Sequence, residues 1–258
     1  MSESLSTRSL QSMLTYPFKD PDWAAKFFTA VGLTFASGIV PLIPALFVNG
    51  YMYRIMHNVI VDKEEPSMPD WTDWGRLLSD GWRLFAVSFL YQLPMIVVWV
   101  AGFGFYMVSF IGIMASENAG ANQPDIFLTF IPMGVFFISM FVGTLLAIGT
   151  FVILPAALGH TVAHDSFKAG FDFTGWWKVM KANPGGFAVT LLVLFGMLSV
   201  VYLAANLLYM TIVLMCLMFV IPMVGIVYIE LVGAALIGAA YREGVEAEEN
   251  IVGEAEVV

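Results

Sequence analysis

Several uncharged apolar stretches in this chain are long enough to cross a bilayer, and that limits what it can fold into. Five apolar regions stand out: Trp23 to Asn49, Leu84 to Ala115, Ile126 to Leu158, Phe187 to Leu208 and Thr211 to Ala240. A run of about 18 or more apolar residues spans hydrocarbon as a helix. Hydrophobic residues make up 59% and charged residues 12% of the chain, against roughly 45–50% and about 25% in soluble domains. A water-soluble core could not hide so much apolar surface. The fold class is therefore all-α, a polytopic helical membrane protein.

The eleven Lys and Arg residues set the expected topology, because short cytoplasmic loops are enriched in them. They fall at Arg8, Lys19 and Lys26, then at Arg54, Lys63, Arg76 and Arg83, then at Lys168, Lys178 and Lys181, and finally at Arg242. The connections Ser116 to Asp125 and Asn206 to Met210 carry none and are expected to face outward. The second and third regions then pair as one hairpin, and the fourth and fifth as another. Both flanks of the first region are basic, so Trp23 to Val61 is read as two helices turning at Ser37-Gly38-Ile39-Val40-Pro41, where Gly and Pro break a helix. Arms of about 15 to 20 residues reach only about 22 to 30 Å, so this hairpin either spans or re-enters. The expectation is five to six membrane-embedded helices in hairpin repeats, each opening on a Trp-rich segment and returning on a helix with Pro and then Gly.

The longer basic connections have helical periodicity of their own. Trp71, Trp74, Leu78, Trp82 and Phe85 recur at steps of three and four, with Asp70, Asp73, Arg76, Asp80 and Arg83 off that face. This reads as an interfacial amphipathic helix. Phe167, Phe171, Trp177 and Met180 with Lys168, Lys178 and Lys181 read as a second. Trp71, Trp74, Trp82, Trp176 and Trp177 are the expected interfacial anchors, touching membrane lipids.

Residues 1–22 are expected as a cytoplasmic N-terminal segment, 23–242 as the helical membrane domain and 243–258 as a disordered acidic tail. Much of the net charge of −9 sits in that tail, and no basic stripe exists to neutralise phosphates, which excludes nucleic acid as a partner. The single cysteine, Cys216, allows neither a disulfide within the chain nor a cysteine metal site. No signal-peptide cleavage pattern follows the first apolar run.

Glu230 lies twelve residues before Arg242 in an otherwise apolar run. An ionised carboxylate at such depth costs about 2.5 to 3.5 kcal/mol on insertion scales. It marks either an ion or proton pathway or a protonated group hydrogen-bonded to a neighbouring helix. His160 and His164 share a helical face beside Asp165 and could ligate a metal or pigment, or could simply be polar boundary residues. Gly-x-Ser-x-Gly, His-Glu-x-x-His and Gly-x-x-x-x-Gly-Lys patterns do not occur. No enzyme activity, catalytic residue, metal or cofactor is expected.

Tyr16-Pro17-Phe18-Lys19-Asp20-Pro21-Asp22-Trp23, Asn49-Gly50-Tyr51 with Arg54, and Met68-Pro69-Asp70-Trp71-Thr72-Asp73-Trp74 through Asp80-Gly81 resemble a prokaryotic membrane family, domain of unknown function 4013. The resemblance rests on roughly residues 14 to 95. It implies a prokaryotic cytoplasmic membrane and supplies no catalytic residues. Two functions stay open: an accessory or scaffold subunit of a larger assembly with other membrane protein subunits as partners, and a small-solute, ion or lipid transporter using Glu230. Both termini are expected to be cytoplasmic.

Overall fold

The structure, a computed structural model, describes residues 7–118, 126–210, 217 and 219–256. Its helices are α1 (Thr7–Thr15), α2 (Trp23–Ser37), α3 (Ile43–Ile60), α4 (Trp74–Asn118), α5 (Ile126–Ala163), α6 (Phe173–Ala182), α7 (Pro184–Tyr209) and α8 (Val220–Glu256). Short 3₁₀ turns occupy Tyr16–Phe18 and Phe167–Phe171. No strand occurs among the described residues. Four helices, over Trp74–Ser116, Phe130–Ala163, Pro184–Tyr209 and Val220–Ile251, are long and apolar enough to cross a membrane.

The first apolar region is two helices with the break where Gly38 and Pro41 lie, and α2 and α3 pack on each other. At 15 and 18 residues they are shorter than the four long helices. Leu42, at the start of α3, holds a left-handed φ of 79°. Ile39, Val40, Leu42 and Ile43 at this tip all face outward.

The amphipathic helix expected over Pro69 to Phe85 is not a separate element. Residues 62–73 are non-helical, and Trp74 begins α4, which continues directly into the second apolar region. Leu78 and Trp82 face outward and Trp74 is half-exposed, its ring edge-on to Phe47 at 5.2 Å, whereas Leu77, Asp80, Gly81, Leu84 and Val87 are buried. The second basic connection does contain a short helix, α6, capped where Asp172 accepts the Gly175 amide at 3.1 Å. Residues 243–256, expected to be a disordered tail, continue α8 as a helix; they are rich in Glu and Ala, good helix formers, with no Pro to stop them. Residues 119–125 and 211–216, with Cys216, lie outside the described residues, whereas Asn206 to Met210, expected as an outer connection, closes α7.

The chain divides into two compact units, Met1–Val87 with Pro155–Val258, and Ser88–Leu154. In the first, α8 is the hub: α1, α2, α3, α6 and α7 all pack on it. Met13, Val59, Leu194, Ile229, Val232, Leu236 and Ala239 form its core. Side-chain-to-backbone hydrogen bonds tie the periphery to the hub. Tyr16 donates to the Leu231 carbonyl at 2.8 Å, Tyr228 to that of Leu14 at 2.7 Å, and Asn183 to that of Ala240 at 3.1 Å. The N-terminal segment is thus docked on the last helix.

The second unit is the pairing of α4 and α5 over residues 88–154. Small residues bring the two helices together: the Trp99 indole lies over Gly143 and donates to the Met140 carbonyl at 3.4 Å, and Ser139 sits against Gly102. Phe136 packs between Phe103 and Tyr106, with ring centroids 6.3 and 5.5 Å away. Outside this seam nearly everything apolar faces outward.

Candidate functional site

The most developed polar site lies between α3, the 61–73 connection and the first turns of α4. Tyr53 and His57, and Arg54 and Asn58, are pairs four apart on α3, so each pair shares a face. Arg76 and Asp80 are likewise one turn apart on α4. With Asp62, Thr72 and Asp73 they line an open cavity of about 380 Å³.

The connection keeps its shape because charged side chains replace the hydrogen bonds a helix would supply. Arg54 donates to the carbonyls of Thr72 at 2.7 Å, Asp73 at 3.1 Å and Asp70 at 3.4 Å. Asp73, at φ 52°, caps α4 by accepting the Arg76 amide at 3.3 Å. On the far side, Lys26 reaches Asp20 at 2.8 Å, Asp70 at 2.9 Å and the Met68 carbonyl at 2.8 Å. Burial alone would lower the Lys26 ammonium, but Asp20 and Asp70 outweigh it and raise it above its ordinary value. The hydrogen bond from Lys26 holds the Asp20 carboxyl below the usual range.

Trp71 completes this latch. Its ring stacks on Tyr51 at 4.2 Å with 7° between the planes, and its indole donates to the Lys26 carbonyl at 3.0 Å. Tyr51 in turn donates to the Pro69 carbonyl at 2.7 Å. Trp71 therefore joins elements inside the chain, which is a different task from the membrane anchoring expected of it. The three sequence segments quoted for the family resemblance meet here: Asp20, Tyr51 and the Asp70–Trp71 pair lie in one network.

The cavity wall continues through Asp80, which lies 3.6 Å from Arg76 and 3.7 Å from Arg83. Arg83 also pairs with Asp165, and Tyr53 donates to Asp165 at 2.7 Å. These contacts, the Tyr53 hydroxyl first, hold the Asp165 carboxyl below its ordinary value. Asp80 is 4% exposed, and its Oδ2 has no hydrogen-bond partner.

The residues singled out from the sequence are dispersed around this site. Glu230 is on α8, and one carboxyl oxygen, Oε2, is enclosed without a hydrogen-bond partner. His160 and His164 face each other at 4.3 Å between rings, but His160 Nδ1 is 2.5 Å from the Tyr241 hydroxyl and its Nε2 is 3.8 Å from Asp172. Among the described residues no group of three His, Cys, Asp or Glu side chains is placed to hold a metal. Trp74 and Trp82 face outward, Trp176 is buried, and Trp177 is half-exposed beneath Lys181, whose ammonium lies 5.6 Å from the ring centroid. In the sequence Arg54, Arg76 and Arg83 read as topology markers, Arg76 and Arg83 also as the polar side of an amphipathic segment and Arg54 as part of the family resemblance, with no sign that they pair with Asp80, Asp165 and the connection's carbonyls. The available signal was the alternation of Asp and Arg at helical spacing from 70 to 83.

No curated protein and no solved structure matches this chain. A family profile does, over residues 33–210, starting beyond the Tyr16 to Trp23 segment and reaching well past residue 95. The chain belongs to the family described as protein of unknown function (DUF4013).

Proposed function

We propose that this chain is a non-enzymatic accessory or scaffold subunit of the prokaryotic cytoplasmic membrane, and that its partners are other membrane protein subunits. The observation that carries this reading is the outward surface of the second unit. The most apolar windows of α4 and α5 are each 6% buried within the chain, against 44% for α8. Val97, Val108, Ile138 and Phe141 face outward around a narrow seam of Trp99, Gly102, Ser139 and Gly143. Such a hairpin adds little to the chain's own core and offers broad apolar and aromatic surface, where a few buried aromatics dominate association. The non-enzymatic part rests on the sequence, which carries none of the catalytic patterns sought. Purification from native membranes in mild detergent tests it. Partners should co-purify with the wild type and be lost from Ile138→Ala/Phe141→Ala, while the melting temperature of the purified chain stays unchanged.

A transporter is the second reading, favoured by Glu230, whose enclosed oxygen has no partner to justify it structurally. Vesicles reconstituted with the purified chain decide between them. Solute flux above protein-free controls that vanishes in Glu230→Gln, with no partner recovered, would replace the scaffold reading by transport.

A further inference from the structure

We propose that the cavity between α3 and the start of α4 is a binding site for a small group carrying a primary ammonium beside an anionic oxygen group, the ammonium donating to Asp80 and the anion resting on Arg76. Most polar groups around the cavity are already engaged. Arg54 is committed to three backbone carbonyls, His57 Nδ1 lies 3.2 Å from Asp62, and Asp73 caps α4. What is left without a hydrogen bond is Asp80 Oδ2, buried and only loosely paired with Arg76 Nε at 3.6 Å, beside the Arg76 guanidinium, whose side chain is 63% exposed.

Asp80 Oδ2 is an acceptor taken out of water, and such groups are nearly always satisfied in folded proteins. The neighbouring guanidinium groups do not satisfy it: Arg76 Nε is 3.6 Å away, and Arg83, 3.7 Å from the other oxygen, is turned to Asp165. A donor entering from the cavity would satisfy it. Two arginines face three aspartates in the lining, so the site favours a cation at the donor position. The open anion and the open cation sit one turn apart on α4, which selects a ligand whose opposite charges are adjacent. A quaternary ammonium has no N–H to give and is excluded, and a primary ammonium, with three N–H donors and the least bulk, suits the enclosed Asp80 oxygen best. A volume of about 380 Å³ suits a headgroup-sized molecule. This chemistry belongs both to ethanolamine phospholipid headgroups and to free phosphoethanolamine-like solutes, and it is independent of the scaffold reading.

Titration calorimetry on the purified full chain in detergent, with O-phosphoethanolamine and phosphocholine as probes, tests the site. O-phosphoethanolamine should bind at least about tenfold more tightly, because only it can donate to Asp80. Asp80→Asn and Arg76→Gln should each weaken it by about tenfold or more. Arg76 is largely exposed, so its variant keeps the fold even if Asp80→Asn melts lower. In nanodiscs of mixed phosphatidylethanolamine and phosphatidylcholine, selective retention of the former by wild type and not by the variants identifies a lipid as the source. Binding of the free probe without such retention identifies a solute. Equal affinity for the two probes, unchanged affinity in both variants, or no binding of the free probe at millimolar concentration with no lipid selectivity would each overturn the proposal.

Discussion

Placing a methyl group at Gly81 should separate two helices that touch through their backbones. A Cβ at Gly81 would fall on the Leu46 carbonyl and the Gly50 amide, and one at Gly50 would fall on the Leu77 carbonyl. The obstacle at each is main chain, which cannot rotate aside as a side chain can, so α3 and α4 must move apart. Overpacking of this kind costs about 1–3 kcal/mol, more where nothing yields, against about 1 kcal/mol returned because Ala favours a helix over Gly. The balance for Gly81→Ala is a loss of about 2 kcal/mol. For a chain of this size that corresponds to roughly 4–8 °C in melting temperature. Gly104→Ala is the matched control, since nothing lies within 4 Å of a Cβ there; it should melt slightly higher than wild type. Gly50→Ala/Gly81→Ala should lose less than the sum of the single losses, because once the helices are apart the second methyl has room. Thermal melts of wild type, the three single variants and the double variant in one detergent give the numbers. Gly81→Ala melting with Gly104→Ala, at or above wild type, would show that the crossing is not tight and that the reasoning is wrong.

Trp71→Ala should cost about 3 kcal/mol by removing the stacked ring and the bond to Lys26, whereas outward-facing Trp82→Ala should stay within about 0.5 kcal/mol; equal melting temperatures would return Trp71 to the role of a lipid anchor. Glu230→Leu should melt at or above wild type, because it removes an unpartnered oxygen that costs about 1–3 kcal/mol; a clear loss of stability would reveal a partner for that carboxyl. Asp20 and Asp165 both have depressed folded pKa values, so their contribution is complete above the unfolded value of about 3.9 and is lost as pH falls through the lower folded values. The contribution of these two carboxylates should be constant above about pH 5 and lost below about pH 4, so the fall in melting temperature below about pH 4 should be smaller in Asp20→Asn. Asp165→Asn should change it less, since that side chain is 63% exposed and screened by solvent. Cysteine labelling from outside should reach position 118 and miss 63 and 178; a reactive position 4 with an unreactive position 63 would place the N-terminus and the α3–α4 connection on opposite sides.

Long apolar runs and breaker residues made much of the architecture legible, while the packing was hidden. Gly38 and Pro41 announced the break between α2 and α3 because their backbone chemistry acts locally. The packed face of α4, with Leu77, Asp80, Gly81 and Leu84, went unread because periodicity reports which residues are apolar, not what they face. The hub role of α8 had no signal, since it is apolar on most sides and has little amphipathic asymmetry to read. Glu230 was found by its isolation in an apolar run. The Asp80 cavity was not, because its residues come from two helices and a loop whose approach depends on Gly50 and Gly81.

The position of the hub at the end of the chain has a kinetic consequence. Translation proceeds at about 5–20 residues per second, so α3 is complete roughly ten to thirty seconds before α8 emerges. Throughout that interval the face of α3 that will meet α8 is unfilled, as is that of α7 once it is made, and Tyr16 has no Leu231 carbonyl to bind. The α2–α3 hairpin, latched through Lys26 and Trp71, can form early, but the rest must wait beside the insertion machinery. A nascent chain stalled before residue 220 should therefore be protease-sensitive at its N-terminus, and arrival of the last helix should confer resistance on the first and last segments in a single step.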